Sequence, residues 1–387
     1  MPQLSDFDDI RPYAPGEVQP ALKELLKDRQ FKVVLKGFAP FLPPFFKSGL
    51  LRLGFIGVNT TTDFQFRFMK RVVRMILNKC SDGCTFSNDP LNTFDKRYTF
   101  VSNHRDIVLD SAILSLMLVE AGSPTTCEIA IGDNLLIYPW IRTLVKMNKA
   151  FTVRRSLTPK ELMQSSIHMS EYMHFVINEK KENLWIAQRE GRAKDSSDHT
   201  QESVLKMLAL GHDGTHLESL RDLNIVPLTI SYEYDPCDYL KAKEYQLKRD
   251  NPTYKKTRQD DLDNMKTGIM GYKGRIHYEA APCINSWLDD LEKMSSPEFY
   301  QEVARRMDQQ IHRHYRLFPC NYIALDRLNG NYAMAAHYTA EDKKKFDAYV
   351  TGQLAKIDLP NKDEAFLTER ILTMYANPLR NHLEATK

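Results

Sequence analysis

The residues best suited to chemistry lie together between positions 98 and 110. An apolar, strand-like run at 98–102 is followed at once by Asn103-His104-Arg105-Asp106, and an apolar helical run begins at Ile107. This pattern places a histidine on a loop between two rigid elements, where reactive groups are often found. Such an imidazole can take a proton from a hydroxyl or an amine as that group attacks an acyl carbon.

Two carboxylates follow the histidine closely, at Asp106 and Asp110. Either one could orient the ring and stabilise its charged form. Both also suit the first turn of a helix, where the helix dipole favours negative charge. The acidic pattern alone therefore fits a catalytic pair and an ordinary helix start equally well.

Two more clusters of polar residues follow predicted strands. The strand predicted at 150–153 ends in Arg154-Arg155, and the planar fork of arginine matches the geometry of a phosphate. The strand predicted at 183–187 leads to Glu190-Gly191-Arg192, which brings a carboxylate, a flexible glycine and a cation into one turn. Such a turn can accept a hydrogen bond from a hydroxyl and neutralise a phosphate.

The elements that would position these groups alternate between strand and helix. Strands are predicted at 98–102, 127–131, 150–153, 183–187, 225–232 and 274–278. Helices are predicted at 106–121, 135–147 and from 159 onwards, and the chain after 296 reads as helical. Alternation of this kind predicts an α/β fold, with a mostly parallel sheet flanked by helices.

The flanking segments have a different character. Residues 31–58 combine phenylalanines with lysines and prolines, and 64–78 form a basic amphipathic helix. Broken amphipathic helices of this type can lie in a membrane interface, although the phenylalanines could equally be ordinary core. Residues 233–272 are rich in charge, which is typical of a solvated helical excursion.

Composition excludes several classes of protein. The 387 residues carry a net charge of only +3, which is too small to indicate nucleic-acid binding. No uncharged apolar run approaches the roughly 20 residues needed to span a bilayer, and the acidic N-terminus does not resemble a signal peptide. The six cysteines are scattered without metal or disulfide spacing. We therefore expect a cytoplasmic protein, free or on the cytoplasmic face of a membrane.

Taken in order, the polar clusters resemble the four blocks of the glycerolipid acyltransferase superfamily, whose type members acylate glycerol-3-phosphate or lysophosphatidic acid. The blocks correspond to Asn103-His104 with a following aspartate, 151–154, Glu190-Gly191-Arg192 and 226–228. The resemblance spans roughly 98–284. It implies an acyltransferase-like core at 98–285, with the charged excursion at 233–272, a helical N-terminal region at 1–97 and a helical extension at 286–387.

The resemblance also implies roles for the site residues. His104 would be the general base and Asp110 would hold its other ring nitrogen, while Arg154 and the turn from Glu190 to Arg192, with Gly191 between them, would bind the phosphate and hydroxyls of the acceptor. The reaction would need no metal and no cofactor. Its donor would be acyl-CoA or an acyl carrier protein. The acidic surface of a carrier protein could be attracted by a basic face formed by Lys146, Lys149, Arg155 and Arg189. The implied partners are a lipid acceptor and the membrane surface.

Two departures from the family pattern keep alternatives open. The family places its aspartate five residues after the histidine, where this chain has Leu109. Asp110 is favoured because a one-residue bulge could bring it back, and Asp106 is the alternative. In the third block Arg189 replaces the usual proline and no threonine precedes Arg192. The acceptor could therefore be a lipid without phosphate, such as an aminoacyl lipid, or the chain could be a non-catalytic lipid-binding relative.

Overall fold

The computed structural model describes residues 2–37, 55–91, 94–155 and 157–387. Within them seven strands form one sheet. The strands are β1 (Cys84–Ser87), β2 (Thr99–Ser102), β3 (Cys127–Gly132), β4 (Ala150–Val153), β5 (Asn183–Ala187), β6 (Ile225–Tyr232) and β7 (Ile276–Ala280). Their order is β1-β7-β6-β2-β5-β3-β4, and only the β6–β7 pair is antiparallel. The predicted α/β fold with a mostly parallel sheet is confirmed.

Helices precede, connect and follow these strands. In the described residues the α-helices of seven or more residues are α1 (Pro15–Lys27), α2 (Arg29–Gly37), α3 (Lys70–Cys80), α4 (Leu109–Glu120), α5 (Pro139–Met147), α6 (Pro159–Asn178), α7 (Glu202–Leu208), α8 (His216–Asp222), α9 (Asp238–Asp250), α10 (Arg258–Met270), α11 (Ser296–Arg313), α12 (Pro319–Asn329), α13 (Ala340–Ala355) and α14 (Glu364–Ala385). The apolar cores place α6, α7, α8 and α11 on one face of the sheet and α3 and α4 on the other.

The central strands are apolar on both faces, which is why they form the middle of the sheet. Every residue of β2 and β6 is buried, and so are the first ten residues of α4, which the sequence predicted to be apolar nearly all round. Because β2, β5 and β6 run parallel, their carboxyl ends meet at one edge. That edge carries His104, the loop after β5 and the entrance to α9.

The N-terminal region differs in part from its predicted helical character. Strand β1 lies inside it and pairs with β7, so the sheet begins before residue 98. Phe31 and Phe55 are buried in a core with Phe64, as ordinary packing would have them. The remaining phenylalanines of the predicted interfacial segment, at 38–54, lie outside the described residues, so membrane contact stays a prediction.

The charged stretch at 233–272 is helical, but the expectation that it is solvated is wrong for one face of α9. That face buries Asp238, Lys241, Glu244 and Gln246. Polar partners replace the apolar contacts that a buried helix usually makes: Asp238 accepts hydrogen bonds from Tyr375 at 2.7 Å and from Tyr349 at 2.9 Å.

The chain after residue 296 is helical, as predicted, and its helices form a separate apolar core between α12, α13 and α14. Helix α14 also packs on α9 and α11, so the extension is joined both to the excursion and to the sheet. The division at residues 97 and 285 stays a prediction. Across the described ranges, we find no helix that is both long and apolar enough to cross a membrane.

Candidate active site

The histidine after β2 is paired with the aspartate in the first turn of α4. His104 Nδ1 lies 2.8 Å from Asp110 Oδ2, and the Asp110 side chain is fully buried. The backbone N–H groups of Arg105 and Asp106 donate to the same carboxylate oxygen at 2.6 and 3.0 Å. Tyr232 donates to the other oxygen at 3.3 Å. The aspartate is therefore fixed from several sides and holds the imidazole in turn.

The alternative aspartate has a different role in this geometry. Asp106 Oδ1 accepts hydrogen bonds from the N–H groups of Val108 and Leu109, both at 2.8 Å, so it satisfies two donors that a helix start leaves free. The residue that separates this chain from the family spacing is accommodated in this turn, before α4 begins at Leu109. Leu109 itself is buried in the core.

The other ring nitrogen of His104 is directed away from the pair. The side chain keeps 13% of its surface exposed, and Nε2 has no hydrogen-bond partner within the described part of the chain. The ring meets the edge of Trp185 from β5 with centroids 5.6 Å apart. Because a carboxylate can only accept, the proton between the pair belongs to Nδ1, which leaves Nε2 with a free lone pair.

The residues beside His104 anchor its loop to β6. Asn103 accepts a hydrogen bond from the N–H of Ile230 at 2.8 Å and donates to its carbonyl at 2.9 Å. Arg105 forms a buried ion pair with Asp198, with Nη2 and Oδ2 2.6 Å apart. The backbone on both sides of the histidine is thus held by side chains that the solvent does not reach.

The side chains of the third block, which follows β5, point to different partners. Gly191 has a φ of +67°, a backbone conformation that glycine adopts without strain. Glu190 is exposed and pairs with Arg155 at 3.2 Å. Arg192 is directed towards α10, where it donates to Asn264 at 3.0 Å, and its Nη1 is buried without a partner in the described residues.

Arg154, the remaining predicted phosphate ligand, lies at the edge strand β4. It pairs with Asp9 at 2.8 Å, and Asp9 also binds His168 at 3.0 Å. The structure thus brings His104 and Asp110 together. Among the described residues, no direct hydrogen bond or ion pair joins these two to Arg154, Glu190 or Arg192. Lys149, expected on a basic face, is instead buried against Glu182.

Buried charges surround the helix cap beside the pair. Burial, and then the nearby charge of Asp110, raise the pKa of Asp106. Burial lowers the pKa of Lys273, although Asp106 opposes that shift. Burial also works against the charge of Arg192, but acidic neighbours that include Asp235 and Asp106 keep its pKa raised. The charge of Arg192 therefore interacts with that of Asp106 beside the site, although Arg192 forms no hydrogen bond with His104 in the described residues.

Sequence reasoning missed the residues that hold the pair in place. Tyr232 ends β6 and Tyr278 lies in β7, where it donates to the backbone carbonyl of Asp110 at 3.0 Å. The strand pattern could have suggested Tyr232, because β6 is a neighbour of β2. Asp198 lies in an irregular polar loop that carries no recognisable motif. The described residues contain no group of three or more metal-ligating side chains.

Residues 84–231 match the model of the family described as Acyltransferase. This part of the chain is therefore similar to that family, in agreement with the resemblance of its polar clusters to the glycerolipid acyltransferase superfamily. Among solved structures the chain is similar to the 1-acyl-sn-glycerophosphate (LPA) acyltransferase PlsC from Thermotoga maritima, with 11% identity, a TM-score of 0.36 and coverage of 73% of this chain and 94% of that chain. That overall likeness is weak, and the similarity to the family rests on the matched segment alone. A comparison with curated proteins found no match.

Proposed function

We propose that this protein transfers a fatty acyl group from an acyl thioester to the hydroxyl of a glycerol-phosphate-type lipid acceptor, such as lysophosphatidic acid. The observation that carries the proposal is the 2.8 Å contact between His104 Nδ1 and the buried Asp110 carboxylate. A buried carboxylate that accepts several hydrogen bonds fixes the ring and its tautomer, and a general base requires both.

The proposed reaction balances without a metal or a covalent intermediate. His104 Nε2 takes the hydroxyl proton as the acceptor oxygen attacks the thioester carbon, and Asp110 stabilises the resulting imidazolium. The tetrahedral intermediate then expels the thiolate, which receives that proton from Nε2. The products are an ester and a free thiol, and the histidine returns to its starting form. General-base catalysis of this type is worth about 10²–10⁴-fold.

Arg192 is the residue best placed to read a phosphate on the acceptor. Its Nη1 is buried and unpartnered in the described residues, and its charge lies near Asp106 beside the histidine loop. The proposed roles of Glu190 and Gly191 are to accept an acceptor hydroxyl and to give the turn its shape. Arg154 would join them only by leaving Asp9.

One observation favours the second candidate, an acceptor without phosphate. Two described cations near this edge already have carboxylate partners: Arg154 binds Asp9, and Lys194 binds Glu244 of α9. A phosphate would have to compete with these pairs, whereas a neutral or amino lipid would not. A non-catalytic relative would lack a carboxylate partner for the histidine, as Leu109 at the family's aspartate position suggests. The contact between His104 and Asp110 supplies such a partner and therefore supports an enzyme.

The decisive experiment is an acyl-transfer assay with the full chain on liposomes. Acyl-CoA and acyl carrier protein are compared as donors, and lysophosphatidic acid, monoacylglycerol and an aminoacyl lipid as acceptors. We expect His104→Ala to lower kcat on lysophosphatidic acid by about 10² or more, since the general base is lost. The matched control is His216→Ala, which removes an exposed histidine at the start of α8 and should leave kcat within about threefold.

Each result separates the candidates. Product from the aminoacyl lipid but not from lysophosphatidic acid would replace the phosphate acceptor by the second candidate. The absence of His104-dependent product from every donor and acceptor pair, with correctly folded protein, would overturn the enzymatic proposal.

A further inference from the structure

A buried ion pair outside the family blocks involves Arg105, the residue that follows His104 in the chain. The Arg105 guanidinium and the Asp198 carboxylate are 2.6 Å apart, with side chains only 6% and 1% exposed. Arg105 also stands over the ring of Tyr315 at 5.8 Å. The pair joins the histidine loop to the segment at 195–200, which connects β5 with α7.

A buried ion pair of this kind adds little net stability to a fold. Buried charges lose their hydration, and the loss is recovered only when all their polar atoms find partners. Here Arg105 Nη1 and Asp198 Oδ1 are both buried without a hydrogen-bond partner in the described residues. An incompletely satisfied ion pair, adjacent in sequence to a candidate general base, indicates that precise placement is what the pair provides.

The C-terminal extension holds Asp198 in place. Tyr315 donates to Asp198 Oδ2 at 2.5 Å, and His312 Nε2 lies 2.8 Å from the backbone carbonyl of Asp198. Helix α14 holds the same segment through Asn377, which donates to the carbonyl of Asp195 at 2.8 Å, and through a second asparagine bonded to the carbonyl of Ser197 at 2.9 Å. The segment is thus attached to two elements of the extension.

We propose that Asp198, held by Tyr315, is a positioning residue for acyl transfer and that the C-terminal extension thereby takes part in the reaction. This inference rests on the proposed function of His104. Asp198 acts through Arg105 on one side and through Asn103, whose amide lies 3.4 Å from Asp198 Oδ2, on the other. The backbone of His104 is held between these two anchors.

The consequence is specific to the chemical step. A loosened anchor lets the ring move relative to the acceptor oxygen, and a misplacement of about 1 Å can cost about 10² in rate. Binding of donor and acceptor depends on other groups, so their KM values should not follow. A purely structural ion pair would lower stability without this division between kcat and KM.

The test compares Asp198→Asn, Tyr315→Phe and Glu182→Gln in the full-length protein, with kcat and both KM values measured on liposomes. Asp198→Asn should lower kcat about 10- to 100-fold with KM changed less than twofold. Tyr315→Phe keeps the ring and removes one hydrogen bond, so a smaller loss of about three- to tenfold is expected. Glu182→Gln breaks the buried pair with Lys149, remote from His104, and should lower thermal stability but not kcat.

A further comparison uses the His104→Ala background, where Asp198→Asn should cost nothing more in the residual rate because there is no base left to position. Wild-type kcat in both Asp198→Asn and Tyr315→Phe would overturn the inference, and so would an equal loss in the His104→Ala background. If Asp198→Asn does not fold, Tyr315→Phe decides. A wild-type protein without His104-dependent turnover would instead overturn the proposed function itself, and this inference with it.

Discussion

Asp106 and Asp110 lie four residues apart on the same loop and helix, yet their oxygens serve different partners. Asp110 meets the imidazole of His104, whereas Asp106 accepts from two backbone N–H groups at the start of α4. An asparagine can still accept those two backbone hydrogen bonds with its side-chain oxygen. It cannot stabilise an imidazolium with a negative charge.

The two aspartates should therefore respond differently to the same substitution. We expect Asp110→Asn to lower kcat by about 10² or more, because the charged form of His104 loses its counter-ion. We expect Asp106→Asn to keep kcat within about fivefold and the unfolding midpoint close to that of the wild type. Steady-state kinetics and thermal melts on both variants check this. Equal losses of kcat would mean that Asp106 takes part in the chemistry.

At this scale the sequence reveals part of the site. His104 is predicted because it stands in a polar motif between a strand and a helix. Asp110 is predicted because the family pattern contains an aspartate shortly after the histidine. The choice between Asp110 and Asp106 depends on how one extra residue is placed in a turn, which local sequence does not determine. Asp198 could not be predicted, since its partner Arg105 is 93 positions away in the chain.

Among the elements, α10 approaches the histidine loop most closely at a glycine. A Cβ added to Gly268 would clash with Asp106 Oδ2, because it would lie nearer than side chains can approach. The absence of a side chain at this position thus allows α10 to pack against the cap of α4. Gly352 in α13 offers a matched position, because a Cβ there would meet nothing within 4 Å.

Alanine at these two glycines should have opposite effects. Gly268→Ala should displace Asp106, lower the free energy of unfolding by about 1–3 kcal/mol through overpacking, and reduce kcat by shifting the His104 loop. Gly352→Ala should leave kcat unchanged and stabilise the protein by up to about 1 kcal/mol, as expected for alanine in a helix. Chemical denaturation and kinetics measure both quantities. A stable, fully active Gly268→Ala would show that α10 can retreat without disturbing the site.

The elements with a clear apolar pattern in the sequence were predicted well, whereas β1 and the buried face of α9, which lack such a pattern, were not. The strands at 150–153, 183–187 and 225–232 have the predicted bounds, because each is a short and largely apolar run that ends at polar residues or a turn. Strand β1 was missed because its sequence, Cys-Thr-Phe-Ser, contains no continuous apolar run. Helix α9 was judged solvated because its buried face is polar, and polarity normally indicates exposure.

At the scale of the whole molecule, the excursion and the C-terminal extension are joined through one buried carboxylate. Asp238 at the start of α9 is fully buried, and it binds Tyr349 of α13 and Tyr375 of α14. Burial, and then the charge of Asp235, raise the pKa of Asp238 to about 7, although the hydrogen bonds from its partners oppose the shift. The contact between these two regions therefore titrates near neutral pH.

The sign of the pH dependence follows from this raised pKa. Between about pH 4 and pH 7 the folded protein holds a proton on Asp238 that the unfolded chain has lost, so its contribution to stability disappears as the pH rises through this window. A shift of about three units corresponds to at most about 4 kcal/mol. Asp238→Asn stays neutral at every pH, so the change in its unfolding midpoint between pH 5 and pH 8 should be smaller than in the wild type. Glu341→Gln, at an exposed position in the first turn of α13, is the control and should follow the wild type. An identical pH dependence in Asp238→Asn and wild type would show that Asp238 does not change its charge in this pH range.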